Sequence, residues 1–431
     1  MNFKDMKLTL NKTLLHEALK KAEKEFKLKK CKKTILIHIV LLLALGKKYK
    51  CTDVLYAISS ALNDPSQNIN YNHENRTIRI SGYLLAKLEE KWEHCAKSAS
   101  DIVNIALALY VQTPLETYTS NIAPLYTIVG SKNIKMQCAD DDAVSRMGLQ
   151  YSDTILIDAC CATGALFWGL SSYPWKGVIL NDLDPERTNF LNVLLRKPFQ
   201  LINKVIEEGI DHSEYPNQRR ENLAKYRNAI KLFKDTSPKN KPACDVTIAT
   251  YTFLLQCLNK KGMEDAEKIF SRIARFLPAH LKLLNSNVKI TMVDAADYLK
   301  PLLKININHQ KLTIGSNRLV LFDPPYICSE KTCNINGFNY PEFHDKAGRY
   351  LMKADYPFLY HCRSSAPKSS DDFSKDKWEN ILKNKLGEYF FGKKFYLERI
   401  RLKEDTELII SKTLYNSRTQ FIWNNVHQNI L

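Results

Sequence analysis

An acid, two prolines and a tyrosine, Asp323-Pro324-Pro325-Tyr326, follow directly on the apolar run Arg318-Leu319-Val320-Leu321-Phe322. The run reads as a β-strand and the prolines stiffen its tip, since each fixes φ near about −65° and withdraws an N–H donor. A carboxylate and a backbone carbonyl are thereby held together, with the ring of Tyr326 just beyond. Two acceptors and one aromatic face suit a flat base carrying an exocyclic amine: the acceptors take the amine and the ring stacks. The plain alternative is a turn that merely ends a strand.

Three other apolar runs also lead to acids. Residues 154–157 run into Asp158-Ala159-Cys160-Cys161-Ala162-Thr163-Gly164-Ala165. Small residues between a strand and a helix let the backbone approach a ligand, and the helix start beyond offers N–H groups. Residues 177–180 end in Asn181-Asp182-Leu183-Asp184. An acid at that point is where nucleotide-type α/β folds hold a ribose diol. Residues 290–293 precede Asp294-Ala295-Ala296-Asp297-Tyr298, a third strand with its own carboxylates.

With 431 residues the chain exceeds the usual size of one domain. Its hydrophobic fraction of 45% and charged fraction of 25% are those of an ordinary globular protein. Lys+Arg 63 against Asp+Glu 46 leaves a net charge of +17. That balance favours a polyanionic partner, because each cation set on a phosphate releases counterions; a generally lysine-rich composition is the bland alternative. The eleven cysteines include no CxxC pair, and no histidine cluster stands at ligand spacing, so reduced thiols and no metal are expected. The apolar run at 35–45 is too short to cross a bilayer and reads as a buried helix, with no membrane partner. The opening residues carry no secretory or lipidation signal, and a cytoplasmic, nucleoid-associated protein is expected.

Residues 1–116 contain a degenerate internal repeat. Met6-Lys7-Leu8-Thr9-Leu10 alternates polar and apolar, helix formers occupy 12–26, and an apolar helix from near Thr34 completes the unit. The second copy is sharper. Arg76-Thr77-Ile78-Arg79-Ile80-Ser81 alternates strictly, and Leu84, Leu85, Leu88 and Trp92 share one helical stripe. Ser98-Ala99-Ser100-Asp101 then caps a helix bearing Ile102, Ile105, Ala106 and Leu109. Strand, helix, capped turn and helix in this order resemble the ribbon-helix-helix DNA-binding fold, whose two copies pair strands into an antiparallel ribbon that enters the major groove. The resemblance implies a ribbon formed within one chain, with Lys7, Thr9 and Asn11 across from Thr77, Arg79 and Ser81 and facing base edges. A helical accessory domain with one edge strand is the alternative.

Strand ends carrying Asp158, Asp182, Asp297 and Asp323, in that order, resemble the Dam-type (D12 class) adenine-N6 DNA methyltransferases over nearly all of 120–415. Pro124-Leu125-Tyr126-Thr127-Ile128-Val129-Gly130-Ser131-Lys132 is similar to that family's Gly-x-Lys motif, which implies that Gly130 and Lys132 help hold S-adenosylmethionine. Residues 158–167 are similar to the cofactor loop, and this places Asp158, Cys160, Ala162 and Gly164 around the cofactor. Asn181-Asp182-Leu183-Asp184-Pro185 matches the second acidic motif, and Asp297-Tyr298 the pair that reads the cofactor's adenine. Asp323, Pro324, Pro325 and Tyr326 match the catalytic tetrad without change, while Glu407-Leu408-Ile409-Ile410-Ser411 resembles the final strand of the sheet. The family's loop commonly reads Phe-x-Gly-x-Gly, whereas here it is Cys160-Cys161-Ala162-Thr163-Gly164. Ala162 must therefore take φ below zero or accept strain. Residues 201–285 match poorly; they read as helical and basic, with Arg219, Arg220, Lys225, Arg227, Lys231 and Lys234, where the family carries its target-recognition insertion.

Together the resemblances imply an α/β fold: a Rossmann-like S-adenosylmethionine-dependent methyltransferase sheet, a helical insertion and a small α+β N-terminal DNA-binding domain. The parts are expected at 1–116, 117–200 and 286–431 (the two halves of the methyltransferase), and 201–285 (the insertion). The implied activity is site-specific methylation of a flipped adenine at N6 in double-stranded DNA. A catalytically weak or inactive DNA-binding regulator, and an RNA or cytosine-N4 amino-methyltransferase, are the alternatives. A partner restriction endonuclease, and the choice between monomer and homodimer, are left open.

Overall fold

A computed structural model of the chain describes residues 3–27, 32–46, 73–92, 98–114, 148–210, 216–257 (except 239), 272–300, 303–307, 310–314, 317–323, 356–363, 396–402 and 418–424, with isolated positions between. The first elements are β1 (Phe3–Asn11), α1 (Lys12–Glu25), α2 (Lys33–Gly46), β2 (His73–Ser81), α3 (Gly82–Lys91) and α4 (Ala99–Gln112). Next come β3 (Ile155–Asp158), α5 (Ala165–Leu170), β4 (Gly177–Asn181), α6 (Pro185–Arg196), α7 (Pro198–Ile210), α8 (Pro216–Thr236), α9 (Val246–Cys257) and α10 (Phe276–Asn285). The chain continues through β5 (Val288–Thr291), a 3-10 turn (Ala295–Leu299), β6 (Leu303–Ile307), β7 (Gln310–Ile314) and β8 (Arg318–Phe322), then β9 (Phe358–Arg363), β10 (Tyr396–Leu402) and β11 (Arg418–Asn424). These elements form two compact units, one of 1–126, 192–232 and 244–285, the other of 127–191, 233–243 and 286–431.

In the first unit, β1 and β2 pair antiparallel as a two-stranded ribbon, with Lys7 opposite Thr77. Period-two alternation sorts the side chains: Leu8, Leu10, Ile78 and Ile80 are buried, while Asp5, Lys7, Thr9, Asn75 and Thr77 are exposed. Each strand passes straight into a helix. Asn11 caps α1 by accepting from the Leu14 N–H at 3.1 Å, and Ser98 caps α4 by accepting from the Asp101 N–H at 3.2 Å. Buried Asn104 on α4 ties helix to ribbon: its Oδ1 accepts from the Asn11 N–H at 2.9 Å and its Nδ2 donates to the Thr9 carbonyl at 3.0 Å. Where α4 ends, Lys21 Nζ donates to the carbonyls of Tyr110, Val111 and Thr113, groups near a helix C-terminus that attract a cation. The stripe Leu84, Leu85, Leu88 and Trp92 is buried, as are Ile102, Ile105, Ala106 and Leu109.

Much of 201–285 is helical, as its composition predicts, in α7 to α10. Within the first unit these helices pack on the N-terminal repeat. The ring of Phe26 stacks on His280 at 5.9 Å and meets Phe199 at 5.8 Å, and Lys27 donates to the Leu284 carbonyl at 3.1 Å. His280 is buried there, its Nδ1 donating to the Leu194 carbonyl at 2.9 Å. Burial pushes its pKa from 6.5 down to about 4, and burial lowers His38 as well. Between those two pH values the unfolded chain binds a proton that folded His280 refuses. Its contribution is therefore complete above about pH 6.5 and is lost as pH falls towards 4, by roughly 3 kcal/mol. Urea denaturation at pH 7 and pH 4.5 should show His280→Leu losing distinctly less stability across that interval than the wild type. An equal loss in both would contradict this.

Short strands that are apolar throughout suit a sheet covered on both faces. In the second unit, Ile155 to Ile157, Val178 to Leu180 and Leu319 to Phe322 are all buried. The sheet order is β10-β11-β9-β8-β3-β4-β5. The five strands β5, β4, β3, β8 and β9 run parallel, and β11 lies antiparallel between β9 and β10. A separate antiparallel hairpin, β6-β7, precedes β8. The chain builds outward from β3 through β4 to β5, then returns to β8 on the other side of β3. Strand order thus reverses between β3 and β8, and in open sheets ligands bind outside the carboxyl ends at such a switch point. At the amino end of β8, buried Arg318 lies 3.7 Å from the centre of the Tyr356 ring and donates to the Lys300 carbonyl. The Tyr356 hydroxyl donates to the Leu299 carbonyl at 2.7 Å, which fixes the turn that follows β5. No helix among the described residues is long and apolar enough to cross a membrane.

Candidate active site at the carboxyl edge of the sheet

Asp158 closes β3 and is fully buried. Its register partner on β8 is Leu321, two residues before half-buried Asp323, and the Ala159 N–H donates to the Leu321 carbonyl at 2.9 Å. The two acids thus leave the sheet on neighbouring strands at the switch point. Beyond β3 the chain turns sharply. Cys161 N–H donates to the Asn181 carbonyl at 2.7 Å, Ala162 N–H to Asp182 Oδ2 at 2.8 Å, and Gly164 N–H to the Cys161 carbonyl at 2.6 Å.

Two residues of this turn are left-handed, Ala162 with φ +49° and Gly164 with φ +73°. Of the two outcomes open to Ala162, the strained one is realised. A left-handed alanine costs about 1–2 kcal/mol, offset in part by the charge-assisted bond to Asp182. Ala162→Gly should therefore raise stability by about 0.5–1 kcal/mol after allowing for the freer unfolded glycine. A thermal melt checks this, and an unchanged or lower Tm would contradict it. At Gly164 a Cβ would sit 3.2 Å from Trp168 Nε1, the donor to the Thr163 carbonyl at 3.1 Å, so both the positive φ and the close approach favour glycine.

Asn181, at the tip of β4, has a role that its sequence does not announce. Fully buried, its Nδ2 donates to the carbonyls of Ala159 at 2.9 Å and Val293 at 3.0 Å. Its Oδ1 accepts from the Val293 N–H and the Thr291 hydroxyl, both at 3.0 Å. One amide therefore joins the ends of β3, β4 and β5. The signal available was an amide at a strand end beside an acid, which alternation rules do not flag. Asp182 and Asp184, next along, hold the turn: Asp182 Oδ1 accepts from the Asp184 N–H at 2.9 Å, and Asp184 Oδ2 pairs with Lys234 at 2.7 Å. Arg187 stands 3.5 Å from Asp182.

Cys160 reports the field of the site. Burial, together with the carboxylates of Asp182, Asp158, Asp323 and Asp294, pushes its thiol well above the ordinary range. Acids from four strand ends thus bear on one point of the loop. From the third strand the acid concerned is Asp294, which caps the 3-10 turn through the Ala296 N–H at 2.9 Å and pairs with Lys346 at 3.1 Å. Asp297 is instead half-exposed and paired with Lys300 at 2.9 Å. Its neighbour Tyr298 is buried, with its hydroxyl bonded to Thr291 and its pKa pushed up to about 12 by burial. Tyr298 packs as core and presents no open aromatic face.

On the ribbon, Lys7, Thr9 and Thr77 share the exposed face. Asn11 does not join them: it is buried as the cap of α1, opposite His73. Its side chain meets an orphan helix N–H, and that local bond decides its direction. The antiparallel register sets Arg79 opposite Asp5 and Ser81 opposite Phe3. Asp5 and Asn75 are exposed on the same face as Lys7, and the Thr9 hydroxyl donates to Asn75 Oδ1 at 3.0 Å. Extending the alternation one step from Lys7 and from Thr77 would have found both. Of the basic residues on α8, Lys225, Arg227 and Lys231 are exposed, whereas Lys234 is engaged by Asp184.

Gly130, Lys132, Pro324, Pro325 and Tyr326 lie outside the described residues, as does the strand expected at 407–411. The last strand described is β11. No protein-family model matches the chain, and no curated protein does.

Proposed function

We propose that this chain is a DNA methyltransferase: it moves a methyl group from S-adenosylmethionine to N6 of an adenine turned out of the duplex, and its N-terminal ribbon docks on the DNA. The carrying observation is the convergence of Asp158, Asp182, Asp294 and Asp323 on the Cys160 loop at the switch point of a parallel sheet. This donor set fits the cofactor, whose sulfonium and ammonium groups are cations and whose ribose offers hydroxyls to a carboxylate. The turn through Ala162 and Gly164 brings backbone close, as a ligand bearing both charge and a flat ring requires.

S-adenosylmethionine, when bound, supplies an electrophilic methyl group. The protein's share is to position the amine. Asp323 and the Pro324 carbonyl would accept hydrogen bonds from its two N–H groups, and Tyr326 would stack on the extruded base, whose removal from the helix is needed before any pocket can reach it. One of the two protons leaves to solvent as the new N–C bond replaces the S–C bond. Those two bonds draw the nitrogen lone pair out of conjugation. The Asp323 charge meets the positive charge that grows on nitrogen, so positioning and electrostatics carry the rate. The net charge of +17 supports a polyanionic substrate.

One observation favours the regulator reading: Asp182, the expected ribose acid, already accepts the Ala162 N–H. Titration calorimetry with S-adenosylmethionine separates the two. Saturable binding supports the enzyme, and no heat at millimolar ligand leaves a DNA-binding scaffold.

A further inference from the structure

The two strands of the ribbon are equivalent pieces of an internal repeat. Aligned at their first residues, Phe3 and His73, they make Asp5 equivalent to Asn75, Lys7 to Thr77 and Thr9 to Arg79. Lys7 and Thr77 are also register partners, so the local dyad passes through that pair and exchanges the Asp5–Arg79 pair with the Thr9–Asn75 pair. The buried side keeps this symmetry, with Leu8 matched by Ile78, Leu10 by Ile80, Leu14 by Leu84 and Leu15 by Leu85. At the alternate positions the residue types of the two strands differ throughout: Asp5 against Asn75, Lys7 against Thr77 and Thr9 against Arg79.

We propose that the ribbon reads a non-palindromic duplex site, one chain per site in a single orientation, with a G·C pair at the Asp5 end and an A·T pair at the Thr9–Asn75 end. This rests on the reading of the ribbon as the DNA-docking element. A two-stranded ribbon fits the major groove, where each base pair shows its own pattern of donors and acceptors. Exposed Asp5 accepts from the N4 amine of cytosine, which selects a G·C pair at its end of the ribbon. Asparagine pairs with N6 and N7 of adenine. The Thr9 hydroxyl holds Asn75 Oδ1 at 3.0 Å, which orients the amide while leaving Nδ2 and the second Oδ1 lone pair for the base. The Thr9 methyl suits the thymine methyl of the same pair. Two identical half-ribbons would demand a palindrome; these two halves ask for different bases.

The test selects duplexes from a randomised pool with the full chain and sequences those retained. One asymmetric motif is expected, with G·C and A·T on opposite sides of its centre and one chain bound per duplex. Asp5→Ala should erase the G·C preference while leaving the A·T preference in place. Asn75→Asp gives the second half the acid of the first, and should turn the motif into a palindrome with G·C at both ends; circular dichroism checks that the variant is folded. A palindromic wild-type motif, or one unmoved by these substitutions, overturns the proposal and leaves DNA docking standing. Enrichment of no duplex at all overturns docking and the proposal together, while methyl transfer is assayed separately.

Discussion

Asp323→Ala is expected to abolish methyl transfer, with kcat falling at least about 10³-fold, while DNA affinity stays within about twofold. Asp323 stands directly after β8, beside the Asp158 strand end, and its charge is part of the field at Cys160. The ribbon proposed to dock DNA belongs to the other compact unit, so affinity has no direct reason to change. Asp323→Asn retains an acceptor oxygen and loses the charge, and should recover part of the rate. Transfer of tritiated methyl groups to duplex DNA reads both variants. Robust turnover by Asp323→Ala would remove the carboxylate from the chemistry.

Asn181→Leu should cost on the order of 4 kcal/mol. Leucine is similar in size but makes none of the four hydrogen bonds that tie Ala159, Thr291 and Val293 together. Each buried group left without its partner costs about 1–3 kcal/mol, and partial relaxation holds the total below the sum. The carboxyl edge of three strands would loosen with it, so S-adenosylmethionine binding should weaken at temperatures where the variant is still folded. Urea denaturation gives the stability and calorimetry the binding. A loss below about 1 kcal/mol would mean that the clamp is not what holds the edge.

Strand ends were legible in the sequence because an apolar run stopping at an acid is a local signal. Residues 318–322 form β8 as read, 177–180 needed only Asn181 added and 154–157 moved one residue on, whereas the strand read at 290–293 is β5 at Val288–Thr291, two residues earlier. The ribbon was legible because alternation is local too, whereas its register is a property of two strands seventy residues apart in the chain. Reading them separately set Asn11 and Ser81 on the working face, and the antiparallel pairing moves both to the ribbon's ends. Asp297 lies within a 3-10 turn whose pitch no periodicity announces, and there it pairs with Lys300. Asn181 was invisible as a clamp because its partners lie 22 and 112 residues away.

Digesting DNA to nucleosides after incubation with the purified chain and S-adenosylmethionine, and resolving them by mass spectrometry, tests the central claim most directly. N6-methyladenine that depends on Asp323 is the result predicted; DNA that binds the chain yet gains no methylated base, with S-adenosylmethionine in excess, would contradict it.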